Sequence, residues 1–164
     1  MSLTPRDRLR MALAHREPDR VPFDLGRTQV TSIASRAQRR LRAHLGLPDT
    51  TPRVSDRVQQ LDHVEGDLLR ALEVDTRGLW PWNARNAPVE ETDDGESLSH
   101  VDEWGLTYRI PREGAFWYDL AGSPLAGGAL TRERIDAHPW PRGDDAHQLA
   151  GLRAEAQAYR EAGH

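Results

Sequence analysis

The stretch "RVPFDLGRTQVTSI", residues 20–33, decides how this chain is read, because it sets a short apolar run beside an acid, an arginine, a glutamine and three hydroxyls. Pro18 and Pro22 forbid a helix here, and Val21, Phe23 and Leu25 alternate with polar residues as in a strand. The strand ends near Gly26. From Thr31 or Ser32 a helix is expected to run to about Leu45, since Ile33, Ala37, Leu41 and Leu45 recur every four residues and Gly46 with Pro48 stops it. A strand, a turn and a helix start follow in that order. The pattern fits a strand end that presents a binding site, and it equally fits a polar loop that leads into a helix.

Upstream, Thr4 is the expected N-cap of a helix over 4–15, with Pro5 at its first position, Asp7 in its first turn, and Leu9, Ala12 and Leu13 on one face. Downstream, Leu68, Leu69 and Leu72 mark a helix from about Val64 to Glu73, and "VDTRGLWPW" (74–82) reads as a second buried strand broken by Pro81. After the acidic turn "EETDDGES", the run "HVDEWGLTYRIPREGAFWYDLAGSPLAGG" places β-branched and aromatic residues between Gly and Pro, the signature of one or two antiparallel hairpins. A helical turn at Thr131–Ile135 and a last helix from about Asp145, striped by Leu149, Leu152, Ala156 and Tyr159, complete the sequence.

Composition narrows the chemistry. The 164 residues suffice for about one domain, and 37% hydrophobic with 29% charged residues fits a soluble globular protein without a bilayer-spanning run. The N-terminus is too charged for the apolar middle of a signal peptide, so the expected location is cytoplasmic. The absence of cysteine excludes disulfides and thiolate chemistry. All 22 basic residues are arginine, so no lysine can form a Schiff base or act as an amine base. A functional cation here orients an anion and does not shuttle a proton. The net charge of −4 argues against nucleic acid, and Arg36, Arg39, Arg40 and Arg42 are expected to form a solvated helix face.

"TPRDRLRMALAHREPDRVPFDLG", "DEWGLTYR", "YDLAGSPLAG" and "IDAHPWP" together resemble the N-terminal half of the uroporphyrinogen decarboxylase superfamily. The likeness extends over nearly the whole sequence. It is nearest to the divergent branch that includes corrinoid-dependent methyltransferases. The resemblance implies an α/β fold: part of a TIM (β/α)8 barrel, with helices, two barrel strands and an inserted β-hairpin region. A full barrel takes about 250 residues, so residues 1–164 are expected to be a truncated N-terminal part. Groups just beyond a barrel strand face the active site. The resemblance therefore implies Asp24 as catalytic candidate and Arg27, Thr28 and Gln29 as substrate-binding candidates. Ungapped matching from the shared proline sets the family's carboxylate-gripping arginine on Arg27. A second family arginine falls on Thr31, and the acid that stabilises a protonated pyrrole falls near Trp82, so this protein lacks both. The methyltransferases hold zinc through His and Cys, and here there is no Cys.

Other motifs are weaker. The seven histidines show no i, i+4 pair, so no metal is expected, and no cofactor is implied. Gly122, Gly127 and Gly128 lack the setting of a phosphate loop and read as turn residues. Trp80, Trp82, Trp104, Trp117 and Tyr118 are expected to pack in the core or hairpins, with stacking on a flat macrocycle as the other reading. For Asp24 and Arg27 an internal ion pair stands beside the functional reading. Two functions follow. One is an enzyme of the decarboxylase or methyltransferase type, acting on a tetrapyrrole or corrinoid-linked methyl substrate once its barrel is complete, and inactive as these 164 residues alone. The other is a non-catalytic module that pairs its strand edges with a second polypeptide or another copy. Neither nucleic acid nor membrane is an expected partner.

Overall fold

The computed structural model describes residues 3–81, 89–144 and 146–164. It is a mixed α/β protein whose described strands form two antiparallel sheets. Helix α1 (Pro5–Leu13) starts as expected, the Thr4 hydroxyl accepting from the Asp7 amide at 3.1 Å. Its buried residue is Arg8, whereas Leu9 and Ala12 are half-buried and Leu13 is exposed, so the expected apolar face is not the packed one. The cause lies opposite. Asp19 meets the Arg8 guanidinium through both oxygens at 2.6 and 2.9 Å, and Asp75 meets its other arm.

A single 3-10 turn (Gln29–Thr31) and strand β1 (Ile33–Ala34) occupy the place where a helix was expected to begin, and α2 runs from Ser35 to His44. Gln38 and Arg42 are its buried residues, while Ala37 and Leu45 are exposed, which corrects the Ile33–Leu45 stripe. Arg36, Arg39 and Arg40 are the solvated residues expected of the cluster. Arg42 is not. At 1% exposure it holds both oxygens of Asp67 at 2.8 and 2.7 Å and the Pro48 carbonyl at 2.9 and 2.6 Å.

Strands β2 (Val54–Asp56) and β3 (Leu61–Asp62) join β1 in the order β1-β3-β2, with Ile33 opposite Asp62 and a bulge between Val54 and Asp56. Nothing in the sequence pattern announced this sheet. Helix α3 (Gly66–Ala71) buries Leu68 and Leu69. The expected hairpins are present as a four-stranded meander of β4 (Thr92–Asp93), β5 (Ser97–Val101), β6 (Thr107–Pro111) and β7 (Asp119–Gly122). Buried Tyr118 sits edge-on to His100 at 4.7 Å, donates its hydroxyl to Glu91 at 2.7 Å, and ties its own amide to the Val58 carbonyl at 2.8 Å. Helix α4 (Arg132–Ala137) is capped by Thr131. The expected last helix is two, α5 (Ala146–Leu149) and α6 (Leu152–Glu161), because Gly151 takes a left-handed φ of 80° that breaks the run. Leu149 is consequently exposed rather than part of the α6 stripe.

The two stretches read as barrel strands, residues 21–25 and 74–82, are extended over 21–25 and 74–81 but enter no ladder among the described residues, and Trp82 lies outside those residues. Val21 is 82% exposed and Phe23 is 41% exposed, so their alternation does not mark a buried face. Pro22 has no amide to give, and the Phe23 amide is taken by a carboxylate, Asp75 Oδ2 at 2.8 Å, instead of a strand neighbour.

Among the described residues, five apolar side chains are buried against ten polar or charged ones, so paired charges rather than a broad oil core hold the elements together. Removing one partner of a buried pair leaves the other uncompensated, at about 3–5 kcal/mol. Asp75→Asn is therefore expected to lower unfolding free energy by about 3 kcal/mol, read by chemical denaturation. A change under about 0.5 kcal/mol, the size of an ordinary surface substitution, would remove the pair from the framework.

Asp67 gives a pH signature. The Arg42 guanidinium holds its carboxyl down at about 2 against an ordinary 3.8, so between those values the unfolded protein binds the proton that the folded one refuses. Stability from this pair is complete above pH of about 4 and falls as pH drops toward about 2. Asp67→Asn should flatten that part of the acid limb in pH-resolved thermal melts.

Candidate functional site

Segments 21–27 and 74–80 lie side by side and run in the same direction. Phe23 faces Asp75, whose amide donates to the Phe23 carbonyl at 2.9 Å. Three residues further along the second segment, Gly78 lies against the backbone of Arg27, where a Cβ on Gly78 would stand 2.7 Å from the Arg27 carbonyl oxygen and 3.1 Å from its Cα. Only a residue without a side chain allows the two backbones this close. Between these points the Thr76 hydroxyl donates to Asp24 Oδ1, and Arg27 Nε stands 3.4 Å from Asp24 Oδ2. Asp24 is thus the ion-pair partner of Arg27, whose guanidinium stays about half exposed.

The remaining expected site residues divide. Gly26 donates its amide to the Thr31 carbonyl at 2.8 Å, closing a turn in which the Thr28 amide donates to the Thr31 hydroxyl at 3.1 Å. The Thr28 hydroxyl lies 3.3 Å from that of Thr31 and belongs to the turn. Gln29 is half-buried, and among the described residues its carboxamide makes no hydrogen bond. Asp24 and Arg27 are brought together, and Thr28 and Gln29 stand one turn away. Trp82, the position matched to the family's pyrrole-stabilising acid, lies outside the described residues. Gly127 and Gly128 are turn residues, the Gly127 carbonyl accepting from Arg134 Nη1 at 2.8 Å. Trp104 and Trp117 are exposed, not core, and Trp80 meets His63 edge-on at 5.0 Å.

Two clefts flank the paired segments. One, of about 700 Å³, lies between α1, residues 75–79 and α6, and Arg27 is on its wall. The other, of about 830 Å³, lies between residues 52–57, His63 and Trp80 and the opposite side of α6. Arg77, Tyr159 and His164 border both. Arg77 Nη1 donates to the Val74 and Thr76 carbonyls at 2.8 and 2.6 Å, which pins one arm of the guanidinium to its own backbone. Burial lowers its pKa from the ordinary arginine value, the opposite of the upward shift at paired Arg8 and Arg42. Sequence reasoning missed Arg77 because "VDTRG" reads as a buried strand. No sequence signal marked it, since the burial of Asp75 and its occupation by Arg8 and Arg20 arise only in the fold. Burial and nearby Arg53 depress His63, so the imidazole facing the second cleft favours its neutral form.

Comparison of the sequence with family models, with curated proteins and with solved structures finds no match. Among the described residues no helix is long and apolar enough to cross a membrane, and no three His, Cys, Asp or Glu side chains gather as a metal site.

The backbone contact at Gly78 is testable. Gly78→Ala forces a methyl against the Arg27 carbonyl, and overpacking of this kind costs about 1–3 kcal/mol. The expected result is a loss of that size in chemical denaturation, and an unchanged midpoint would separate the two segments.

Proposed function

We propose that this protein supplies part of a uroporphyrinogen decarboxylase-like barrel, with segments 21–27 and 74–80 as neighbouring parallel strands and the groups beyond Phe23 at its mouth. With the barrel complete, the substrate is a tetrapyrrole or a corrinoid-linked methyl group. One observation carries the reading: the codirectional pairing of Phe23 with Asp75 and of Arg27 with Gly78. Adjacent parallel strands joined through helices are the building unit of such a barrel, and α2 and α3 fall between these two segments. In this reading Arg27, steadied by Asp24, grips a substrate carboxylate through its planar fork. Thr28 and Gln29 lie beside it. Asp24 is the candidate acid for stabilising the protonated ring that decarboxylation requires.

A second reading has its own observation. Phe116 and Trp117, with ring centroids 6.4 Å apart, are 70% and 58% exposed, an apolar pair turned to solvent just before β7. It favours a non-catalytic module that buries this surface against a partner or another copy.

Titration of the purified protein with uroporphyrin, followed by tryptophan quenching, tests the first reading. Arg27→Lys keeps the charge and loses the fork, so affinity should fall about tenfold with melting temperature nearly unchanged. Unchanged affinity removes Arg27 from a carboxylate site. A large drop in melting temperature with affinity intact makes the Asp24 and Arg27 pair structural. Light scattering in the same buffer reports the second reading, which expects a dimer or larger species.

A further inference from the structure

The 700 Å³ cleft between α1, residues 75–79 and α6 is strongly cationic in a protein of net charge −4. Arg6, Arg10, Arg27, Arg77 and Arg160 all line it, and Asp75 is its one lining acid. That acid is already committed. Its oxygens meet Arg8 and accept from Arg20 at 2.7 and 3.0 Å and from the Phe23 amide at 2.8 Å, so its lone pairs are taken by groups other than the cleft arginines. Among the described residues, Arg10, Arg77 and Arg160 have no carboxylate within ion-pair distance. Arg77 is the most constrained of them: with Nη1 pinned to two carbonyls, its Nε and Nη2 are left for something that enters the cleft. Leu9, Leu13 and Leu79 supply an apolar wall, the last two being exposed despite their size.

Several guanidinium groups held on separate elements around one concavity repel one another until an anion sits between them. We propose that this cleft binds a small organic anion carrying two or more oxyanion groups, carboxylate or phosphate, with Arg77 as the fixed fork and Arg10 and Arg160 closing on it from α1 and α6. The volume suits a ligand of that size. The site does not depend on the barrel reading, since its defining cations lie outside residues 24–29.

Isothermal titration of the 164-residue protein with citrate and with inorganic phosphate, each against sodium chloride of equal ionic strength, tests it. Saturable binding of citrate, phosphate or both is expected, and the stronger of the two names the oxyanion. Arg77→Gln should weaken the stronger probe about tenfold, the loss of one charge-assisted pair. Because Arg77 also holds two backbone carbonyls, Arg10→Gln and Arg160→Gln are the companion variants, each expected to weaken binding about threefold with the melting temperature unchanged. Arg132→Gln on α4, paired with Asp136 and outside the cleft, should bind as the parent does. Heats indistinguishable from sodium chloride would overturn the proposal, as would parental affinity in both the Arg10 and Arg160 variants.

Discussion

Asp75 has a side chain closed to solvent, and its two oxygens are shared by Arg8, by Arg20 and by the Phe23 amide, while its own amide reaches the Phe23 carbonyl. Helix α1, the extended stretch 20–25 and the stretch 74–80 therefore meet at one carboxylate. A desolvated acid is tolerable only with its lone pairs filled, so the three elements must arrive together or not at all. The C-terminal end of α6 and the residues after it join the same assembly: Arg6 donates to the Arg160 and His164 carbonyls at 2.7 and 2.6 Å, and His164 Nδ1 lies 3.3 Å from the Asp75 carbonyl.

That arrangement also explains where open space lies. Because α1 is clamped at Arg8 and α6 at its C-terminal end, the flanks of both helices stand clear of residues 75–79. Clasping by ion pairs fixes elements at points, whereas a continuous apolar seam would have zipped them along their length and left little concavity. Arg10, Arg77 and Arg160 face the cleft with side chains that those clasps do not use.

Local signals in the sequence translated well. Thr4 caps the helix it was expected to cap, the helical turn expected at Thr131–Ile135 is present as α4, Leu68 and Leu69 are core, and the Gly- and Pro-punctuated third block is an antiparallel meander. Periodicity misleads wherever arginine does the packing. It puts Leu13 and Leu45 on buried faces, yet Arg8 and Arg42 occupy those interiors, because a guanidinium that finds a carboxylate fork can be buried and no hydrophobicity pattern encodes its distant partner. The pairing of 21–27 with 74–80 is equally invisible in the sequence: 52 residues separate Phe23 from Asp75, and their side-chain link rests on a single carboxylate. Of the expected site, the Asp24–Arg27 pairing was readable from spacing. Thr76 and Arg77 were not, since they become neighbours of that pair only through the fold.

A framework fastened by arginine has an unusual relation to alkali. A lysine clasp would release near its ordinary pKa of about 10.4, whereas guanidinium keeps its charge beyond any pH at which the protein would be handled. The alkaline boundary falls instead to two phenols. Tyr118 donates its hydroxyl to Glu91, and Tyr159 donates to Glu155 at 2.7 Å. Burial and the adjacent carboxylate push Tyr159 up to about 12, and the same causes raise Tyr118. Above pH of about 10 the unfolded protein releases those protons while the folded one retains them, so native stability drains away as the solution approaches pH of about 12. The fold thus loses its hold in acid through carboxylates and in strong base through tyrosines, with its cations silent at both ends.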